Sequence, residues 1–225
     1  MNLDWERWGR AAGAAFVVLT IAAFIVGGEP PSVGDPAADV VSYYGDDRSQ
    51  ILVSSVLFVL GLGFFLWFAA TLANNFRERG EGRVGVTVIG AATAFVTVQV
   101  VVTGLSAVTA YSVAALDDGA IAKAFFDLQW TLDVFAAVPA LVFFLAVGMG
   151  LLRTGMAPRW LALAALGIAV LFALRTTNWA GDGFWSPTGE YLFVLIPLVS
   201  LWILVTSIVL VRSSAQTARP QPATA

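Results

Sequence analysis

The chain reads as an all-α integral membrane protein, a single bundle of six transmembrane helices with both termini on one side and a short amphipathic helix in the first outer loop. Three observations predict this class. The 225 residues are 59% hydrophobic and only 12% charged, too little polar surface to keep a soluble domain of that length dispersed. Six stretches approach the ~20 apolar residues a helix needs to cross a bilayer, namely 11–28, 51–72, 84–107, 128–152, 160–177 and 191–211. The runs are continuous rather than alternating with period two, which favours helices over a barrel.

The segments follow in order. Residues 1–10 combine Trp5 and Trp8 with Arg7 and Arg10, the composition of an interfacial anchor on the cytoplasmic side. Asp4 and Glu6 in that segment, and the poor cleavage site at Val26-Gly27-Gly28-Glu29-Pro30, favour a retained first helix over a cleaved signal peptide. Pro30-Pro31 stops the helix. Asp35-Pro36 then reads as an N-cap followed by proline at the first helical position. Ala37, Val40, Val41 and Tyr44 fall at i, i+3, i+4 and i+7, one apolar stripe on a short surface helix that Asp46, Asp47 and Arg48 end. A packed connector is preferred to a gate or lid there.

The second stretch closes in a charged, glycine-rich hairpin from Asn74 to Arg83. A second hairpin runs from Arg153 to Trp160, with Pro158 at the helix start. After Val211 the Ser/Ala/Gln/Pro composition indicates disorder. The transmembrane domain is therefore placed at 1–212 and a disordered cytoplasmic tail at 213–225. Arg7, Arg10, Arg77, Arg79, Arg83, Arg153, Arg159, Arg212 and Arg219 fall on one side of this topology, and only Arg48, Lys123 and Arg175 toward the other. The positive-inside rule then puts both termini in the cytoplasm of a multi-pass plasma-membrane protein.

Some segments together carry a resemblance. They are Asp35-Pro36 with Val41-Ser42-Tyr43-Tyr44 and Asp47-Arg48, then Phe64-Phe65-Leu66-Trp67-Phe68, then Leu152-Arg153-Thr154-Gly155-Met156-Ala157-Pro158-Arg159-Trp160-Leu161. In these the chain resembles a family of uncharacterised polytopic membrane proteins common in actinobacteria, a domain of unknown function. The resemblance covers essentially the whole length. It implies the helical fold and the membrane location, and brings no substrate, cofactor or catalytic residue.

The chemistry is bounded by absences. With no cysteine and no histidine there are no disulfides, no Cys/His zinc site, no His-ligated haem and no Ser-His-Asp triad. No phosphate-binding loop or other catalytic motif occurs, so no metal, no cofactor and no enzymatic activity are expected. A net charge of −3 gives no reason to expect a nucleic-acid partner. The partners expected are the lipid bilayer and a small ligand or ion. Tyr43-Tyr44, Trp179 and Trp185 read as an outer aromatic belt, and Asp182 as a turn residue.

One polar constellation remains. Gln129 and Asp133 lie i, i+4 on the fourth stretch, on a face with Ala136, Ala140 and Gly148. Gln99, Thr103 and Ser106 make a similar stripe on the third, and Arg175 and Asn178 are i, i+3 at the end of the fifth. Arg175 and Gln99 each lie fifteen residues past an inner boundary, ~22 Å into a ~30 Å core at ~1.5 Å per residue. A charge at the bilayer centre costs ~2.5 kcal/mol or more, so an Asp133–Arg175 ion pair flanked by Gln99 and Gln129 is the sharper expectation. The alternative is that Arg175 snorkels to the outer headgroups and Asp133 sits at the interface. The candidate site is thus Asp133, Arg175, Gln99, Gln129 and Asn178, in a non-enzymatic membrane protein of structural, regulatory or small-ligand-binding type or, as the alternative, a small-molecule or ion transporter or channel. Gly61, Gly63, Gly90 and Ala94 are candidates for close helix packing, within one chain or between copies.

Overall fold

The structure, a computed structural model, describes residues 5–116 and 118–217, with the side chains of 5–8, 10 and 212–217 outside that description. The side chains of the anchors Trp5, Arg7, Trp8, Arg10 and Arg212, and the tail from 218 onward, lie outside the described residues. Among the described residues seven α-helices run in order: α1 Trp5–Gly27, α2 Ala37–Asp46, α3 Arg48–Glu78, α4 Gly82–Val108, α5 Gly119–Thr154, α6 Arg159–Arg175 and α7 Tyr191–Thr217. α4 runs on through a π turn, Thr109–Val113, and a 3-10 turn, Ala114–Leu116. No strand occurs among the described residues.

Four of these helices, not six, are long and apolar enough to cross a membrane: Arg48–Glu78, Gly82–Leu116, Gly119–Thr154 and Tyr191–Val211. α1 is 23 residues long, and Ala11–Gly27 is the apolar stretch among its described side chains. The expected fifth crossing falls short through length. α6 has 17 residues, ~25 Å at ~1.5 Å per residue against a ~30 Å hydrocarbon core. It stops at Arg175 rather than at 177 because the two threonines close it. Thr176 and Thr177 donate their hydroxyls to the carbonyls of Ala173 and Leu174 at 2.7 Å, satisfying groups that another helical turn would have used.

Two boundaries move for local reasons. α5 begins at Gly119, not near 128, because Asp118 caps it, its Oδ1 accepting from the backbone N–H of Ala120 at 3.1 Å and Ile121 at 3.3 Å. Lys123 and Asp127 pair along the added turns, so the polar run that read as a loop is helical and Asp133 lies well inside the helix. α2 begins at Ala37 with Pro36 as its N-cap and no side-chain cap. Asp35 instead accepts the Ser32 N–H at 2.7 Å, which corrects the expected capping role. At the other end α7 continues to Thr217, past the residue-212 domain boundary.

Packing sets the ends of the bundle. α1 lies along α3, and α3, α4, α5 and α6 pack successively on one another, with α7 against α1 and α6. Gly13 permits the tightest part of the α1 contact: a Cβ there would stand 2.1 Å from Ser207 Oγ on α7 and 2.9 Å from the Phe68 ring on α3. The α3–α4 and α5–α6 hairpins share one end, linked by Arg153 Nη1 to Glu81 Oε2 at 3.3 Å. α2 and the 176–190 loop share the other, where the Gly34 N–H donates to Gly181 O at 2.7 Å and Lys123 Nζ donates to Val33 O at 2.8 Å. Between the ends Phe65, Phe143, Phe144 and Trp202 form an aromatic layer with centroids 5.1 to 5.2 Å apart, tilted between Phe65 and Phe143 and edge-to-face at Phe144. Of the four small residues expected at close contacts, Gly61 packs on Phe16 and Leu19 of the same chain, whereas Gly63 and Gly90 face open space and Ala94 is exposed.

Candidate functional site

The polar stripes of α4 and α5 and the last residue of α6 converge beneath α2. Asp133 accepts on both oxygens: Gln99 Nε2 donates to Oδ1 at 2.8 Å, and Arg175 Nη2 donates to Oδ2 in an ion pair. Arg175 is 2% exposed, so it does not snorkel. Its position at the C-terminus of α6 sets its charge against the negative end of that helix dipole. The same Nη2 also donates to Pro187 O at 3.2 Å, a contact supplied by the 176–190 loop folding back over the helix end.

Gln129 is one turn from Asp133 but bonds elsewhere. Its Oε1 accepts from the Tyr44 hydroxyl at 3.0 Å, and that hydroxyl lies 3.5 Å from Ser106 Oγ. Thr103 donates to the Gln99 carbonyl at 2.7 Å. Asn178, the fifth candidate, is fully buried with both amide atoms unpartnered. It is absent from the walls of the cavity described next, so the structure does not bring it into the cluster.

These groups line one cavity of about 270 Å³. Its polar wall is Gln99, Thr103, Ser106, Gln129, Asp133 and Arg175. The remainder is largely apolar, with Phe16 and Phe24 from α1, Phe58 from α3, Phe95 from α4, Phe172 from α6, and Leu195 and Val199 from α7. That composition, an apolar chamber with a few convergent polar groups, is typical of small-molecule sites. α2 covers one end of the cavity through Tyr43 and Tyr44, and the Tyr43 hydroxyl donates to Gly27 O at 2.9 Å. Burial pushes both phenols above their ordinary range, further for Tyr43 by the adjacent Tyr44 and Asp47 and less for Tyr44 through its bonds to Ser106 and Gln129.

Three wall residues carry a buried polar atom without a partner: Thr20 Oγ1, Trp130 Nε1 and Arg175 Nη1. An unmet buried donor costs ~1–3 kcal/mol, so these three atoms are points of strain in the packing around the cavity.

The sequence missed Tyr44 and Trp130. Tyr44 was assigned to the outer aromatic belt, yet it is buried and bonded to Gln129. The signal was present, because Tyr44 closes the i, i+3, i+4, i+7 stripe whose Val40 and Tyr44 are the buried residues of α2. Trp130 carried no signal beyond lying next to Gln129. The indole N–H of Trp185 donates to Thr177 O at 2.8 Å, and that of the half-exposed Trp179 to Thr176 O at 2.9 Å. Compared with known proteins, the chain matches no family model, no curated protein and no solved structure.

Proposed function

We propose that this chain is a multi-pass protein of the plasma membrane, with six crossings and both termini in the cytoplasm, that binds a small ligand in the cavity without catalysing a reaction on it. The observation that carries this reading is the cavity itself, a mostly apolar chamber whose Arg175, Trp130 and Thr20 each hold an unpartnered polar atom. The four long apolar helices supply the membrane location. In the six-crossing reading α1 and α6 complete the bundle. α6 reaches across because the buried pair with Asp133 absorbs the charge at its short end, and α1 because it packs along the full-length α3. The basic hairpins at the end opposite α2 set the orientation by the positive-inside rule. Membership in the actinobacterial family belongs to the same proposal and adds topology alone.

Transport is the second reading, and the aromatic layer weighs against it. Phe143 and Phe144 follow Asp133 by ten and eleven residues on α5, ~15 Å toward the arginine-rich end at ~1.5 Å per residue. There they pack with Phe65 and Trp202 in a layer against which the cavity-lining Phe16, Phe95 and Phe172 rest. Two fillers that add volume to the cavity walls, Ala137→Leu and Val102→Phe, test the binding reading. Native mass spectrometry of wild-type protein released from its own membrane should show a bound species of small mass, and both folded variants should lose it. A wild type that carries no such species, or fillers that keep it, sinks the reading.

A further inference from the structure

A second opening lies at the other end of the bundle, on the outer side of the α3–α4 hairpin. On α3, Ala70, Ala73, Asn74 and Arg77 fall at i, i+3, i+4 and i+7, and on α4 Gly82, Gly85, Val86 and Ile89 repeat that spacing. Each set is one face of its helix, and the two faces wall a groove of about 230 Å³. Small residues leave it open. A Cβ on Gly85 would stand 2.6 Å from Ala73 O, so the backbones meet there as a floor, and Ala70, Ala73 and Gly82 raise no large side chain above it. Val86 is 71% exposed and Ala70 is exposed too. The groove therefore opens outward from two helices long and apolar enough to cross a membrane.

From this shape and its charge we infer that the groove seats an anionic phospholipid, with one acyl chain along its floor and the phosphate on Arg77. The site is separate from the cavity beneath α2 and does not depend on what that cavity binds.

The charge is placed and uncompensated. Among the described residues the Arg77 side chain makes one hydrogen bond, from Nη2 to Asn74 Oδ1 at 2.7 Å. Asn74 is a neutral wall residue, so the guanidinium folds back over the groove mouth. No acid lines the groove. Glu78 accepts from Asn74 Nδ2 at 2.7 Å, and Glu81 accepts from Arg153 Nη1 at 3.3 Å, while Arg79 and Arg83 add positive charge to the same hairpin. α4 starts at Gly82 without a side-chain cap, which sets the positive end of its dipole beside Arg77.

The register suits a lipid. From Arg77 the wall runs seven residues to Ala70, ~10 Å at ~1.5 Å per residue, from the helix ends into the span. Phosphate then lies at the helix ends and hydrocarbon against Ala70, Val86 and Ile89. Basic pockets between crossing helices recognise anionic headgroups in this way, whereas a zwitterionic lipid brings its own cation and gains less. A second copy of the chain fits worse. Two-fold symmetry within one membrane would set Arg77 and Arg83 near their own counterparts at equal height, like charge against like.

The test counts lipid adducts on full-length protein by native mass spectrometry, with palmitoyl-oleoyl phosphatidylglycerol offered against phosphatidylcholine of the same chains. Wild type should retain phosphatidylglycerol in preference, and no preference overturns the inference. Arg77→Gln should cut that retention about tenfold, the low end for a lost hydrogen bond to a charged group. Arg79→Gln, on the same hairpin but outside the groove, should leave it nearly unchanged. Equal losses from the two would mean a generally basic surface and no site. Ala70→Leu fills the groove from an exposed position and should abolish the preference; a preference that survives it overturns the acyl groove. The cavity fillers Ala137→Leu and Val102→Phe should keep the phosphatidylglycerol adduct, so the two sites fail separately, and its loss in them would place the lipid in the cavity instead. A dimer that Ala70→Leu dissolves, in place of the adduct, assigns the groove to a second copy and overturns the inference.

Discussion

At the scale of single residues, the Asp133–Arg175 pair is the most consequential contact in the molecule. Arg175 is almost wholly enclosed and Asp133 nearly so, with side-chain exposures of 3% and 17%. In such a site the attraction largely offsets desolvation, and most of the cost appears when one partner is removed. Asp133→Asn should therefore lower stability by ~3–5 kcal/mol by leaving a buried guanidinium uncompensated. The uncharged double variant Asp133→Leu/Arg175→Met should recover most of that loss. Chemical unfolding in detergent reads both, and a double variant as unstable as the single one would show that the pair is not the cause. Position 133 was legible in the sequence as the acid on a small-residue face, and Ala136, Ala140 and Gly148 along that face are indeed buried. Its partner Gln99 was legible from the 99–103–106 stripe. Gln129's turn toward Tyr44 was not, because it depends on where a separate surface helix docks.

At the scale of elements, the boundaries were decided by caps and pairs of a few residues. Hydropathy alone ended the fifth apolar stretch two residues late and began the fourth about nine late. Threonine hydroxyls on free carbonyls and an aspartate on free N–H groups carry no hydropathic signal. The glycines show the same division between local letters and tertiary fit. A Cβ at Gly85 would lie 2.6 Å from the backbone oxygen of Ala73 across the α3–α4 hairpin, while one at Gly90 would meet nothing within 4 Å. Backbone cannot step aside as a flexible side chain can. Gly85→Ala should therefore cost ~1–3 kcal/mol through overpacking, whereas Gly90→Ala should be neutral or gain up to ~1 kcal/mol from helix propensity. Thermal unfolding of the two variants side by side checks this, and equal effects would discount the close α3–α4 approach.

At the scale of the whole molecule, the proposed six-crossing topology makes a discrete prediction. Single cysteines at Gly80 and Gly155, in the two basic hairpins, should be shielded from an impermeant maleimide in intact cells, and one at Gly183 should react. Labelling of Gly80→Cys from outside would reverse the orientation. Labelling of Gly155→Cys from outside while Gly80→Cys stays shielded would remove one crossing between them.

Composition and periodicity by themselves determined that this protein is helical and membrane-embedded, since apolar runs this long have few other stable solutions in water or lipid. They also determined which helix faces are polar, because 3.6-residue periodicity is a property of the chain alone. Only the tertiary structure decided where α5 begins and where α6 ends, since an aspartate cap and two threonine hydroxyls set those bounds. Only it decided that three stripes from α4, α5 and α6 share a height beneath α2, where Asp133 takes both Gln99 and Arg175 as partners. Those outcomes depend on distances between segments far apart in sequence, such as the 42 residues separating Asp133 from Arg175, and no local pattern encodes them.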